Sequence, residues 1–103
     1  MRRSPRSPRP PRAREMPASS EIEVALPEGV ALHARPAGVF VRRAMRFAAH
    51  ITVGAGDREA DAKSILGVLG LGAAGGSILV LRAEGDDAGD ARASLAECLR
   101  SLA

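Results

Sequence analysis

The sequence predicts an α+β fold, an open-faced β-sandwich of order β-α-β-β-α-β-α in which a four-stranded antiparallel sheet is covered on one face by three helices. Three observations lead there. Apolar residues alternate with polar ones from residue 21, recur every three or four positions between 37 and 47, and form a short unbroken run at 78–81. The 103 residues, 46% of them hydrophobic, suffice for one small domain and not for two.

Ile22, Val24 and Leu26 alternate with Glu21, Glu23 and Ala25, and Pro27-Glu28-Gly29 ends the pattern, so a first strand is expected at 21–26. Pro36 is accepted by a helix only in its first turn, and after it Ala37, Phe40, Ala44 and Phe47 lie three, four and three apart. The expected helix is 35–49, with Arg42, Arg43 and Arg46 on its solvated side. Ile51 and Val53 alternate with His50 and Thr52, the turn Gly54-Ala55-Gly56-Asp57 follows, and Arg58–Ala62 returns as a paired strand. Ser64 is a good N-cap for an apolar segment, Ile65–Leu71, which Gly67, Gly70, Gly72, Gly75 and Gly76 hold to a short helix. Ile78–Leu81 reads as a central strand that ends by Glu84-Gly85. Asp87 is expected to cap a last helix whose one face carries Ala91, Leu95, Cys98 and Leu102, with Asp90 well placed in the first turn.

Charge is unevenly shared. Residues 1–20 hold six arginines against one glutamate, hence +5, and residues 21–103 hold nine basic and eleven acidic side chains, hence −2. The pI near 10.4 therefore belongs to an extension and not to the domain. That extension contains five of the seven prolines and is expected to be disordered. Either it is a basic arm for acidic surfaces, or translation starts at Met16 and residues 1–15 have no task. The domain is 21–103. Without Trp or Tyr, and with only Phe40 and Phe47, the chain has little to stack bases on, and nucleic acid is not the expected partner. A single Cys98 excludes an internal disulfide, and no His or Cys stands at metal-ligand spacing from it. No apolar run approaches a membrane span and no secretory core precedes the domain, so the expectation is a cytoplasmic protein with no membrane insertion.

The chemically suggestive segment is Leu32-His33-Ala34-Arg35-Pro36-Ala37. Pro36 marks a helix start, which leaves His33 just outside it, where unpaired N–H groups and the positive end of the helix dipole converge. A neutral imidazole has one ring nitrogen free to act as a nucleophile near neutral pH. A phosphoryl group placed on it would meet those N–H groups and the forked donors of Arg35. The plainer reading is that His33 merely caps the helix and Arg35 is a solvated charge.

Leu32–Ala37 resembles the active-site signature of the histidine-containing phosphocarrier (HPr) family of the bacterial phosphoenolpyruvate-dependent sugar phosphotransferase system. A second stretch, Ala62-Lys63-Ser64-Ile65-Leu66-Gly67-Val68-Leu69-Gly70-Leu71-Gly72, resembles that family's other signature, and the two fall at its spacing. The resemblance implies that His33 accepts a phosphoryl group on Nδ1 from phosphorylated enzyme I and passes it to an enzyme IIA domain of a sugar permease, with Arg35 stabilising it and Pro36 starting the helix. It implies a monomeric carrier, not a free-standing enzyme, with no cofactor and no metal. Ser64 matches the serine modified by HPr kinase/phosphorylase in many relatives; the plainer reading is a helix cap. Ile65, Leu66 and Leu69 match the apolar docking patch, although at least one is expected to fill the core. Arg42 matches a basic contact position, with Arg43 and Arg46 enlarging the charge. A phosphorylation-signalled regulatory module is the other reading. One departure stands out: the family usually has Gly directly before Leu-His, where this chain has Ala31, with Gly29 two residues earlier, so the approach to His33 is expected to be longer or differently turned.

Overall fold

The computed structural model describes residues 19–102. Its elements are β1 (Ser19–Ala25), α1 (Ala34–Ala44), β2 (His50–Ala55), β3 (Arg58–Asp61), α2 (Ile65–Gly70), β4 (Ile78–Glu84) and α3 (Ala88–Arg100). The strands form one antiparallel sheet in the order β1-β4-β2-β3, so the predicted order and fold class hold.

Alternation decides which face is buried. Val24, Ile51, Val53, Leu79, Leu81 and Ala83 point to one side, where Phe40 of α1, Val68 of α2, and Leu95 and Leu99 of α3 close a single core. The other side carries Glu21, Thr52, Glu59 and Arg82. Arg82 lies 3.4 Å from Glu21 and 3.5 Å from Glu59 across three strand boundaries, exposed pairs that contribute less than about 1 kcal/mol each.

The start of β1 and the end of α1 differ from expectation. β1 begins at Ser19, because the ladder to β4 runs on to Ser19 opposite Glu84; the rest of the predicted disordered extension, residues 1–18, lies outside the described residues. β4 runs past its apolar stretch and ends at Glu84, where Glu84-Gly85 predicted its end, its outward residues Arg82 and Glu84 being polar while Ala83 faces the core. α1 stops at Ala44, well short of 49. Its end tightens through Arg46 N–H to the Arg43 carbonyl and Phe47 N–H to the Ala44 carbonyl, both 3.2 Å. The Lys63 ammonium then takes the Phe47 carbonyl at 2.7 Å.

Asp87 corrects a further expectation. It occupies the N-cap of α3 but makes no side-chain bond to its own helix. Its carboxylate accepts the Ala48 N–H at 2.9 Å and the Ala49 N–H at 2.8 Å, fixing the loop between α1 and β2. Replacing it with Ala leaves two N–H groups without their charged acceptor and is expected to lower stability by roughly 1–3 kcal/mol, read as a shift of the urea midpoint. Cys98 is buried, as its helical spacing implied. Burial pushes its thiol up from the ordinary range, the Arg43 guanidinium pulling weakly the other way.

Candidate phosphoryl-acceptor site

The approach to His33 is set by two loops laid against each other. Pro27–Val30 form a turn closed by the Val30 N–H on the Pro27 carbonyl at 3.2 Å, with Gly29 at φ 81°, the conformation that glycine adopts without strain. Leu32 is buried and its N–H donates to the Ala73 carbonyl at 3.0 Å, tying the segment to the loop after α2. His33 N–H then reaches the Ala31 carbonyl at 2.8 Å, a three-residue turn that throws the His33 side chain outward. No residue other than glycine has positive φ among those described, so Ala31 fits without strain and Gly29 supplies the turn two residues earlier.

His33 is the N-cap of α1, in extended conformation, and its carbonyl takes the first helical bond from Ala37 N–H at 2.9 Å. The imidazole is exposed and makes no capping bond, which leaves it free to react. Ala34 and Arg35 N–H find no acceptor among the described residues, and Pro36, third in the helix, has no N–H to leave unpaired. Arg35 is exposed beside them. Leu69 of α2, Gly72 and Ala73 face Ala31–Ala34 across an open hollow of about 450 Å³, which brings α2 to the edge of the histidine.

Ser64 caps α2 as predicted, its Oγ accepting the Gly67 N–H at 3.0 Å. The three apolar candidates part company: Leu66 is 79% and Ile65 39% exposed, whereas Leu69 is half-buried against the core and lines the hollow. Val68, on the opposite side of α2, is the residue that anchors it. Arg42 and Arg46 are exposed. Arg43 is not part of their surface: its Nη1 donates to Ser94 Oγ at 3.1 Å, which turns it toward α3. Sequence reasoning missed Met45, 64% exposed at the end of α1, although it falls off the stripe of Ala37, Phe40 and Ala44. It also missed Arg58, whose Nη1 donates to the Gly70 carbonyl at 2.9 Å and so fixes the end of α2. Among the described residues no cluster of His, Cys, Asp and Glu could hold a metal, and no helix is long and apolar enough to cross a membrane.

Residues 18–101 match the family model described as the PTS HPr component phosphorylation site. The chain belongs to the HPr family. The crystal structure of a phosphocarrier protein HPr from Bacillus anthracis superimposes with a TM-score of 0.77 at 35% identity, covering 81% of this chain and 99% of that one. Phosphocarrier protein HPr of Haemophilus influenzae is 39% identical over 69 residues, 67% of this chain and 79% of the relative. The multiphosphoryl transfer protein of Xanthomonas campestris is 46% identical over 68 residues, 66% of this chain, and the chain spans only 8% of that protein's length. The four antiparallel strands and three helices are therefore the HPr fold, and the family is one of phosphotransferase-system phosphocarriers.

Proposed function

We propose that this HPr chain relays a phosphoryl group in the cytoplasm, taking it from phosphorylated enzyme I on His33 and giving it to an enzyme IIA domain. The exposed His33 ring carries this reading, standing at the head of the eleven-residue α1 with free N–H groups at Ala34 and Arg35 beside it. Unprotonated Nδ1 of the neutral ring attacks phosphorus, the N–P bond forms, and the donor leaves with the electron pair of the bond that breaks. The N–H groups and the Arg35 fork meet the charge on the transferring oxygens, acting where it already sits so that little reorganisation is needed. The partners supply the remaining catalysis, and the carrier acts as a monomer without cofactor or metal.

Arg42 and the exposed Ile65 and Leu66, with Leu69 at the hollow's edge, form the docking surface in this reading. It is small, as rapid exchange between two partners requires, since tight complexes would release slowly. Ser64 sits at its margin. Phosphorylation there by HPr kinase/phosphorylase would put up to two negative charges among residues that meet acidic partners, and so slow the relay through repulsion.

The test is intact-mass spectrometry of the full chain after incubation with enzyme I, phosphoenolpyruvate and Mg²⁺. One acid-labile phosphoryl adduct is expected, absent from His33→Ala and discharged by an enzyme IIA domain. No adduct, with the same enzyme I active on another HPr, overturns the relay.

A further inference from the structure

Two parts of the molecule have no task in the proposed relay: the sheet face turned away from the helices, and the arginine-rich residues that precede β1. Strand register maps the first. Glu21 and Glu23 of the edge strand β1 lie opposite Arg82 and Val80 of β4, these opposite Thr52 and Gly54 of β2, and these opposite Asp61 and Glu59 of the other edge strand, β3. Two carboxylates thus stand on each edge, with a shallow trough between them floored by Val80, Thr52 and the bare backbone of Gly54. Ile78, 53% exposed, lies at one end of the trough, and Glu84, paired with Ser19 and His50, at the other. Five carboxylates share the face with one arginine. Arg82 is engaged by Glu21 and Glu59, while Glu23, Asp61 and Glu84 make no ion pair among the described residues, Asp61 accepting the Lys63 N–H at 2.9 Å.

The segment before this face carries six arginines against one acid, Glu15, and four of them, Arg3, Arg6, Arg9 and Arg12, recur every third residue among Pro5, Pro8, Pro10 and Pro11. Three residues make one turn of a polyproline II helix, which rises about 3.1 Å per residue, so in that conformation the four guanidinium groups share one edge at intervals of about 9 Å. The chain enters β1 at Ser19, opposite Glu84, which is a corner of the acidic face. Residues 1–18 span about 55 Å in that conformation, against a sheet about 15 Å wide and about 20 Å long, so the segment is long enough to turn back at the corner and cross the face. The helix side repels it, since α1 presents exposed Arg35 and Arg42, and Arg46 beyond its end.

We infer that residues 2–14 dock on the open face of their own sheet, with Arg3, Arg6, Arg9 and Arg12 meeting the carboxylates of β1 and β3 and the proline rings resting on Val80 and Ile78. Exposed ion pairs are weak one at a time, but a tethered segment meets them at high effective concentration, and several formed together hold it. Docked there, it lies on the side of the sheet away from α1 and α2, so its arginines do not compete with Arg42 for acidic partners. The inference stands apart from the carrier reading, because the chemistry of His33 does not enter it.

The experiment places a nitroxide spin label at Ser7→Cys in the full, isotope-labelled chain and reads the heights of its backbone amide NMR signals; Cys98, buried and with its thiol pushed up, stays unlabelled. The amides of Thr52, Gly54, Val80 and Arg82 are expected to lose about half of their height or more, and those of Arg42 and Leu66 to keep theirs. Raising the ionic strength from about 0.01 M to about 1 M shortens the screening length from about 30 Å to about 3 Å and should restore the lost signals. The combined variant Glu23→Gln, Glu59→Gln and Asp61→Asn should restore them at low salt, its own spectrum showing that it is folded. Signal loss confined to the start of β1 and Glu84, loss on the helix side, or loss that survives high salt overturns the inference. Loss carried over to isotope-labelled chains that bear no spin label makes a second copy the occupant and overturns it as well, as does an intact mass showing that the chain made in its own cells starts at Met16. None of these outcomes touches the phosphoryl relay, and a chain that accepts no phosphoryl group can still dock its segment.

Discussion

Arg35→Ala is expected to slow phosphorylation of His33 by enzyme I about 100-fold, the loss seen when one preorganised donor to a developing charge is removed. Arg35→Lys should recover only part of this, because an ammonium offers a point charge where the guanidinium offers two parallel donors. Stability should move the other way. Arg35 is the second residue of α1, whose first turn holds no acid, so its positive charge sits against the positive end of the dipole. Relieving that repulsion is expected to stabilise the unphosphorylated chain by up to about 0.5 kcal/mol. In the proposed relay Arg35 gains its partner only once His33 is phosphorylated, so its cost to the empty protein is offset in the charged state. Stopped-flow or quench-flow phosphorylation, beside thermal unfolding of the same variants, measures both effects. A rate within threefold of wild type for Arg35→Ala would remove Arg35 from the site.

What the sequence reveals of this protein follows the range of the interactions concerned. β1 and the start of α1 are readable because their causes are local: Ile22 and Val24 alternate with glutamates, and Pro36 allows a helix around it only one register. His33, Arg35 and Pro36 are contiguous, so the acceptor end of the site is visible in the same way. The end of α1 is not. Phe47 keeps the helical spacing, and Ala48 and Ala49 are good helix formers; the helix stops because Asp87, 38 and 39 residues further on, captures their N–H groups. Arg42 and Arg43 look alike in the sequence, and only the packing of α3 beside α1 turns one to Ser94 and leaves the other in water. The hollow beside His33 is likewise hidden, its far wall coming from Leu69, Gly72 and Ala73 in another part of the chain. The longer or differently turned approach expected from Ala31 resolves into a turn at Gly29, two residues upstream.

The glycines after α2 show how a local reading can be right about an element and silent about its cause. Read along the sequence, Gly75 is one of several residues that end a helix. In the fold it lies where two loops touch backbone to backbone. A β-carbon there would stand 2.6 Å from the Gly29 nitrogen, 3.0 Å from that of Val30 and 3.2 Å from the Pro27 carbonyl oxygen. None of these is a side chain able to swing aside. The loops cannot part freely either, because Leu26 N–H donates to the Ser77 carbonyl at 2.9 Å, Gly76 N–H to the Leu26 carbonyl at 3.0 Å, and Leu32 N–H to the Ala73 carbonyl at 3.0 Å. Gly75→Ala is therefore expected to destabilise the chain by about 2–4 kcal/mol through overpacking and lost backbone bonds, measured by urea unfolding. Gly70→Ala is the contrasting case, with nothing within 4 Å of the added carbon, and should be neutral or stabilising by up to about 1 kcal/mol. The same bonds set the position of His33 one residue beyond Leu32, so whatever fraction of Gly75→Ala remains folded should also accept a phosphoryl group more slowly. If Gly75→Ala unfolded at the wild-type urea concentration, the contact between the two loops would be looser than these distances require, and the hollow at His33 would have to be held open by α2 alone.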